Sequence, residues 1–300
     1  MSLPDPLLIV QTAFLGDVIL TLPVARALRG LEPDLRVDLM VTPAAAALVT
    51  GHPDIRESLV YDKRGADSGL AGFIRMKRSV QERGYGCAIV PHRSLRSALL
   101  VRLAGIPVRV GFDSSAGSAL FTRTVTYRRG LHEIDRNLRL LEGLGLTVPA
   151  PAPPRLAAPD DGRRRVEEYL AAFGAIDPGR NIAIAPGSVW RTKRWPAERY
   201  GALASALAGK GYRVILVGGP VDERVCEQIA ATVDGSGMRA GAINACGKFS
   251  ILESAELIRR ASLLICNDSA PLHLAAAVAT PVLAIFGATI PGFGFGPICP

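Results

Sequence analysis

The apolar run Leu263-Leu264-Ile265-Cys266 gives way to Asn267-Asp268-Ser269-Ala270-Pro271-Leu272-His273, and an Ala-rich helical stretch starts at once. A strand that turns directly into a helix leaves unpaired amides and the positive end of the helix dipole at the turn, which suits an anion such as phosphate. Ser269 or Asp268 can cap the new helix, and His273 falls one turn further along the same face. A capped helix with a surface histidine would use the same residues.

Three other turns carry reactive groups. After the first apolar run, Gln11-Thr12-Ala13-Phe14-Leu15-Gly16-Asp17 bends at Gly16 and places Asp17 at the start of a helix. Asp17 can act there as a cap or, with suitable reach and pKa, as a general base. In Pro186-Gly187-Ser188-Val189-Trp190-Arg191-Thr192-Lys193-Arg194-Trp195-Pro196, Lys193 can neutralise a leaving phosphate while Trp195 and Pro196 anchor the loop. In Val217-Gly218-Gly219-Pro220-Val221-Asp222-Glu223, the glycines permit close backbone approach and an acid can bind ribose hydroxyls. No G-x-G-x-x-G follows either half's first strand, and no P-loop, G-x-S-x-G or H-E-x-x-H motif is present, which argues against dinucleotide, P-loop, serine-hydrolase and zincin chemistry.

These turns need strands and helices to hold them, and the chain alternates short β-rich runs with amphipathic stretches throughout, the pattern of βαβ units and parallel sheets. In the first half, strands are expected at Leu7–Gln11, Arg36–Val41, Ser58–Tyr61, Cys87–Pro91 and Val108–Gly111, and helices at Val18–Arg29, Phe73–Arg83 and Arg96–Ala104. In the second half, strands are expected at Asn181–Ala185, Arg213–Val217, Ala242–Asn244, Leu263–Cys266 and Val282–Phe286. Helices there fit Ala197–Lys210, Asp222–Val233, Ser250–Ala261 and Ala270–Val278. Val148-Pro149-Ala150-Pro151-Ala152-Pro153-Pro154 suits only an extended connector. The expected domains are therefore 1–155 and 156–300. Two open α/β sheets facing one another would make a cleft for two substrates beyond their strand ends.

With 300 residues, 49% of them apolar, the chain can build two cores, and a formal charge of +8 points to an anionic partner. The five scattered cysteines form no C-x-x-C, which supports neither a disulfide framework nor a zinc site and favours a reducing cytosol. No basic leader precedes the first apolar stretch, and no segment has eighteen uninterrupted apolar residues, so neither export nor membrane spanning is expected.

Taken together, Gly16-Asp17-Val18 with Thr21-Leu22-Pro23, Lys193-Arg194-Trp195-Pro196, the Asn267–His273 block, Thr280-Pro281-Val282 and Phe286-Gly287-Ala288-Thr289 resemble the ADP-heptose:lipopolysaccharide heptosyltransferases. Pro91-His92-Arg93-Ser94 and His132-Glu133-Ile134-Asp135-Arg136-Asn137 look closer to the heptosyltransferase II type. The resemblance implies a GT-B fold of two Rossmann-like α/β domains, acceptor bound by the first and sugar nucleotide by the second. It implies a metal-independent, inverting single displacement with no cofactor. Asp17 would be the general base and Lys193 the cation at the leaving diphosphate. Ser188, Ser269, Ala270 and His273 would contact the donor, Asp268 its sugar hydroxyls, Asp222 the ribose with Glu223 as competitor, and Phe249 the adenine. An anionic, Kdo-bearing inner-core acceptor would need cations on the first domain, for which Lys63, Arg64, Arg93, Arg96 and Arg136 are candidates.

Such an enzyme would be cytoplasmic and would meet the inner-membrane surface peripherally. Family members usually continue beyond Phe286-Gly287-Ala288-Thr289 with a helix that braces the first domain, so an end at Gly296-Pro297-Ile298-Cys299-Pro300 is expected to be loop-like and to weaken activity. The alternatives are a GT-B transferase with another nucleotide sugar or acceptor, an epimerase of similar fold, and a non-catalytic nucleotide-sugar-binding protein. Nucleic acid is not an expected partner, because no basic-aromatic motif is present.

Overall fold

The computed structural model describes residues 3–174, 178–235 and 242–298. Cys299 and Pro300, part of the expected loop-like tail, lie outside them. The chain divides into two compact units, Met1–Pro154 and Arg155–Pro300, and residues 146–159 form no helix or strand.

In the first unit the elements run β1 (Leu7–Val10), α1 (Leu15–Ile19), α2 (Leu22–Leu31), β2 (Val37–Val41), α3 (Pro43–Val49), β3 (Glu57–Val60), α4 (Gly69–Glu82), β4 (Cys87–Val90), α5 (Leu95–Leu103), β5 (Val108–Phe112), β6 (Arg123–Val125) and α6 (Glu133–Arg139). The strands form a parallel sheet in the order β3-β2-β1-β4-β5-β6. β1, β2 and β4 are buried throughout, as central strands covered by helices on both faces must be. Their interior includes one carboxylate, Asp38 in β2, which accepts hydrogen bonds from Tyr85 Oη at 2.7 Å and Arg56 Nε at 2.9 Å.

The second unit contains α7 (Asp160–Ala171), β7 (Asn181–Ala185), α8 (Ala197–Gly209), β8 (Arg213–Leu216), α9 (Glu223–Asp234), β9 (Ile243–Asn244), α10 (Ile251–Arg259), β10 (Leu263–Asn267), α11 (Ala270–Ala277) and β11 (Val282–Ile285). Its parallel sheet has the order β11-β10-β7-β8-β9. In each sheet, successive strands first progress to one side of the founding strand and then restart on its other side. The adjacent pairs β1/β4 and β7/β10 therefore mark topological switch points, where departing loops diverge and leave a crevice.

The ten expected strands form, with ends shifted by a residue or so, while β6, α3, α6 and α7 were not expected from the sequence. β6 has only three residues, two of them exposed, so it carries little apolar signal. The helix expected over Val18–Arg29 is two helices. Thr21 breaks it by donating its hydroxyl to the Asp17 carbonyl at 2.8 Å, and Pro23 supplies no amide to continue the first ladder.

Candidate functional site

At the carboxyl edge of the second sheet, Lys193 follows β7 and Asp268 follows β10, and the switch point brings them together. Lys193 Nζ lies 2.6 Å from Asp268 Oδ2, and Thr289, beyond β11, donates its hydroxyl to the same oxygen at 2.6 Å. Asn267, fully buried, fixes this arrangement: its Nδ2 donates to the Pro186 carbonyl at 2.7 Å, and its Oδ1 accepts from Trp195 N at 2.9 Å and Tyr200 Oη at 3.0 Å. One amide side chain thus ties both ends of the Lys193 loop to β10. Arg194 Nε holds the loop's middle by donating to the Ser188 carbonyl at 2.7 Å, and Ser188 is itself buried.

The capping expectation for Asp268 and Ser269 is corrected. Ser269 is the N-cap residue of α11, but its hydroxyl contacts the Asn267 carbonyl at 3.4 Å rather than a first-turn amide, and the Asp268 carboxylate is engaged by Lys193 and Thr289. The Ser269–Ala270 turn therefore lacks a side-chain cap, while Pro271 contributes no N–H. His273, one turn along, is buried rather than a surface residue.

Asp222 closes a short turn after β8 and accepts the Gly219 amide at 3.1 Å. A Cβ on Gly187 would overlap the Asp222 carboxylate, so glycine there lets the β7 and β8 loops meet. Glu223 instead lies against Gly247 in the loop after β9, which separates the two competing acids by position. Phe249, also after β9, is half-buried between the Tyr169 ring, 5.1 Å away edge to face, and the Arg165 guanidinium at 5.1 Å.

In the first unit, Asp17 is the third residue of α1, not its cap; its Oδ2 accepts the amide of the cap residue Phe14 at 3.1 Å. The loop after β1 is tied to its neighbours through Thr12. Lys63 Nζ donates to the Thr12 carbonyl at 2.6 Å, and the Thr12 hydroxyl lies 3.1 Å from His92 Nδ1, which also meets the Ser97 hydroxyl at 3.3 Å. Burial, with Lys63 and Arg93 nearby, pushes His92 down to about 4, so this ring is neutral at physiological pH. Burial together with Arg64 and Arg96 also lowers the Lys63 pKa.

Arg96 donates Nε to Tyr61 Oη at 2.6 Å and Nη2 to the Asp67 carbonyl at 3.1 Å. Arg93 is exposed and stacks over the Tyr127 ring at 4.2 Å, and Arg64 is exposed on the loop after β3. Arg136 departs from the expectation of a ligand-facing cation. It is only 2% exposed, and it donates to Glu133 Oε2 at 2.8 Å, Tyr127 Oη at 3.0 Å and the carbonyls of Arg128 and Arg129. Burial and this spent donor set make it a clamp for the Tyr127–Arg129 segment, on which Arg93 rests.

Sequence reasoning missed Thr289, Asn267, Tyr127 and Glu133 as site residues. Glu133 is buried and its pKa is raised, first by burial and to a lesser degree by the charge of Asp17, with Arg136 opposing. No spacing rule joins Asp17 to Glu133, because α6 is brought to α2 and the α1–α2 turn only by packing. There Asn137 Nδ2 donates to the Leu20 carbonyl at 3.3 Å. Among the described residues, no three His, Cys, Asp or Glu side chains converge as a metal site.

Residues 73–299 match the family "Glycosyltransferase family 9 (heptosyltransferase)". Lipopolysaccharide heptosyltransferase 3 of Escherichia coli K12 is 28% identical over 284 residues, covering 91% of this chain and 80% of that protein. Lipooligosaccharide heptosyltransferase 2 of Haemophilus influenzae is 25% identical over 96% of this chain and 84% of its own length. Among solved structures, a glycosyl transferase family 9 protein from Veillonella parvula superposes with a TM-score of 0.89 at 27% identity, covering 99% of this chain and 86% of that one. The fold is GT-B, the architecture of the heptosyltransferases it superposes on. A family match over three quarters of the sequence, agreeing with two Rossmann-like sheets, makes this chain a glycosyltransferase and a member of glycosyltransferase family 9, the heptosyltransferases.

Proposed function

We propose that this enzyme transfers heptose from ADP-L-glycero-D-manno-heptose to the inner core of lipopolysaccharide, in one metal-independent displacement that inverts the anomeric centre. The observation that carries the reading is the meeting of Lys193, Asp268 and Ser269 at the β7/β10 switch point of a family 9 chain. A cation beside an uncapped helix start suits a diphosphate. The matched relatives named for lipopolysaccharide and lipooligosaccharide heptosyl transfer support the choice of sugar and acceptor.

In this reading the acceptor oxygen attacks the anomeric carbon while the carbon–oxygen bond to the diphosphate breaks. Asp17 takes the hydroxyl proton, and ADP departs with its new charge held by Lys193 and by the Ser269 and Ala270 amides, with His273 behind them. Asp268 contacts sugar hydroxyls, Asp222 the ribose, Phe249 the adenine, and Ser188 the donor. Lys63, Arg64, Arg93 and Arg96 bind the Kdo carboxylates or phosphates of the acceptor, and Arg136 serves them only through Tyr127. The first unit is thus the acceptor domain and the second the donor domain.

Such an acceptor puts the enzyme at the cytoplasmic face of the inner membrane as a peripheral protein. Among the described residues, no helix is long and apolar enough to cross a membrane.

The test is ADP release from ADP-heptose, with and without a heptosyl-Kdo2-lipid A acceptor, in EDTA. Acceptor-dependent release is expected in the native chain, reduced about 10²- to 10⁴-fold in Asp17→Ala with ADP binding kept. Release abolished by EDTA, or equal in the variant, defeats the mechanism.

A further inference from the structure

Helices α4 and α5 cover the same face of the first sheet, burying Phe73, Met76 and Val80 from one and Ala98, Leu100 and Val101 from the other in a shared core. Their opposite faces are unusually apolar for a solvated layer. Leu95, Leu99 and Leu103, four residues apart on α5, are 52%, 36% and 50% exposed, and Leu70 and Ile74 form the matching row on α4 at 74% and 40%. Leucine at three successive i, i+4 positions is a continuous stripe, not scattered surface leucines.

The charge around this stripe is predominantly positive, although exposed Glu82 follows Arg78 on the α4 row. From Lys63 to Arg109 the sequence holds ten Lys and Arg but only two acids, Asp67 and Glu82. Arg78 continues the Leu70–Ile74 row, Arg102 flanks Leu103, and both are exposed. An apolar face rimmed by cations matches an anionic bilayer, into which leucines insert while guanidiniums pair with head-group phosphates. A second protein copy would bring cations against cations.

We propose that the α4–α5 face is a docking surface for an anionic lipid bilayer. The choice of a bilayer rests on the reading of the acceptor as a lipid-anchored glycan. α5 begins at Leu95, between Arg93 and Arg96, so docking by this stripe holds the candidate acceptor cations at the height of the head groups.

The test uses the full chain with vesicles of phosphatidylethanolamine and phosphatidylglycerol, compared with phosphatidylcholine alone. Co-sedimentation is expected with the anionic vesicles, at least about tenfold weaker in L95S/L99S/L103S and in R78E/R102E, with unchanged circular dichroism and melting. Transfer to a vesicle-borne acceptor is expected to fall with binding, while transfer to a deacylated, soluble acceptor persists. Equal binding by native chain and variants, or no binding to anionic vesicles, overturns the proposal, as does self-association of the native chain that L95S/L99S/L103S abolishes. Stripe-dependent vesicle binding without transfer to either acceptor would uphold the docking face and reject the proposed transfer reaction alone.

Discussion

The candidate ligand-binding cations of the two units are held in different ways. In the second unit Lys193 is neutralised by a carboxylate, Asp268, at 2.6 Å. In the first, Lys63 is bound to a carbonyl, Arg96 to a phenol and carbonyls, and Arg93 to an aromatic face. A carbonyl or a ring orients a cation and leaves its charge in place, whereas a carboxylate cancels most of it. Under the proposed function, the first unit would attract an anion, and the second would yield its cation when a diphosphate takes the place of the carboxylate oxygen. Arg136 combines both patterns, with a carboxylate, a phenol and two carbonyls. Paired with Glu133 and buried, it is structural.

The largest effect that could break this contrast is at Lys193. Lys193→Ala is expected to lower kcat about 10²- to 10³-fold, the range for losing a group aimed at developing charge, with little change in melting temperature. Equal kcat/KM in steady-state assays would remove Lys193 from the chemistry.

Next is the pH response of the first unit. His92 has its folded pKa depressed to about 4 from 6.5. Between those values the unfolded chain binds a proton that the folded chain refuses, so stability is full above about pH 6.5 and declines as pH falls toward 4. The loss is about 3 kcal/mol at most. Thermal melts from pH 7 to 4 should show this decline flattened in His92→Gln. An identical pH slope in the variant would assign the loss elsewhere.

The smallest effects sharpen the comparison directly. Arg96→Gln is expected to raise the acceptor KM about tenfold with kcat nearly unchanged, as for removal of one charge-assisted contact. Asp268→Asn, by releasing Lys193 from its counter-charge, is expected to tighten ADP binding a few-fold in calorimetry. Weaker ADP binding in that variant would mean that the carboxylate organises the site more than it competes with the ligand.

Most strands and the polar turns that follow them were legible in the sequence, because a buried parallel strand needs a short apolar run and the following turn needs its own residue types. Leu263–Cys266 followed by Asn267–His273 is such a case. Helix α6 was not legible, because its buried face includes Glu133, Arg136 and Asn137, polar residues that match only partners supplied by packing. The same limit hid Thr289, which reaches Asp268 only because β10 and β11 lie side by side.

By itself, the sequence determined the two α/β halves, the Pro-rich connector, and the turns carrying Asp17, Lys193, Asp222 and Asp268, since local chemistry and periodicity encode these. Tertiary structure alone decided which of those groups meet. Strand order brings residues 75 positions apart, Lys193 and Asp268, to 2.6 Å, and packing turns Arg136 inward as a clamp while leaving Arg93 on the surface. Pairing across a sheet depends on which strands become neighbours, and burial depends on what lies above a side chain. Neither is a property of the residues adjacent in the chain.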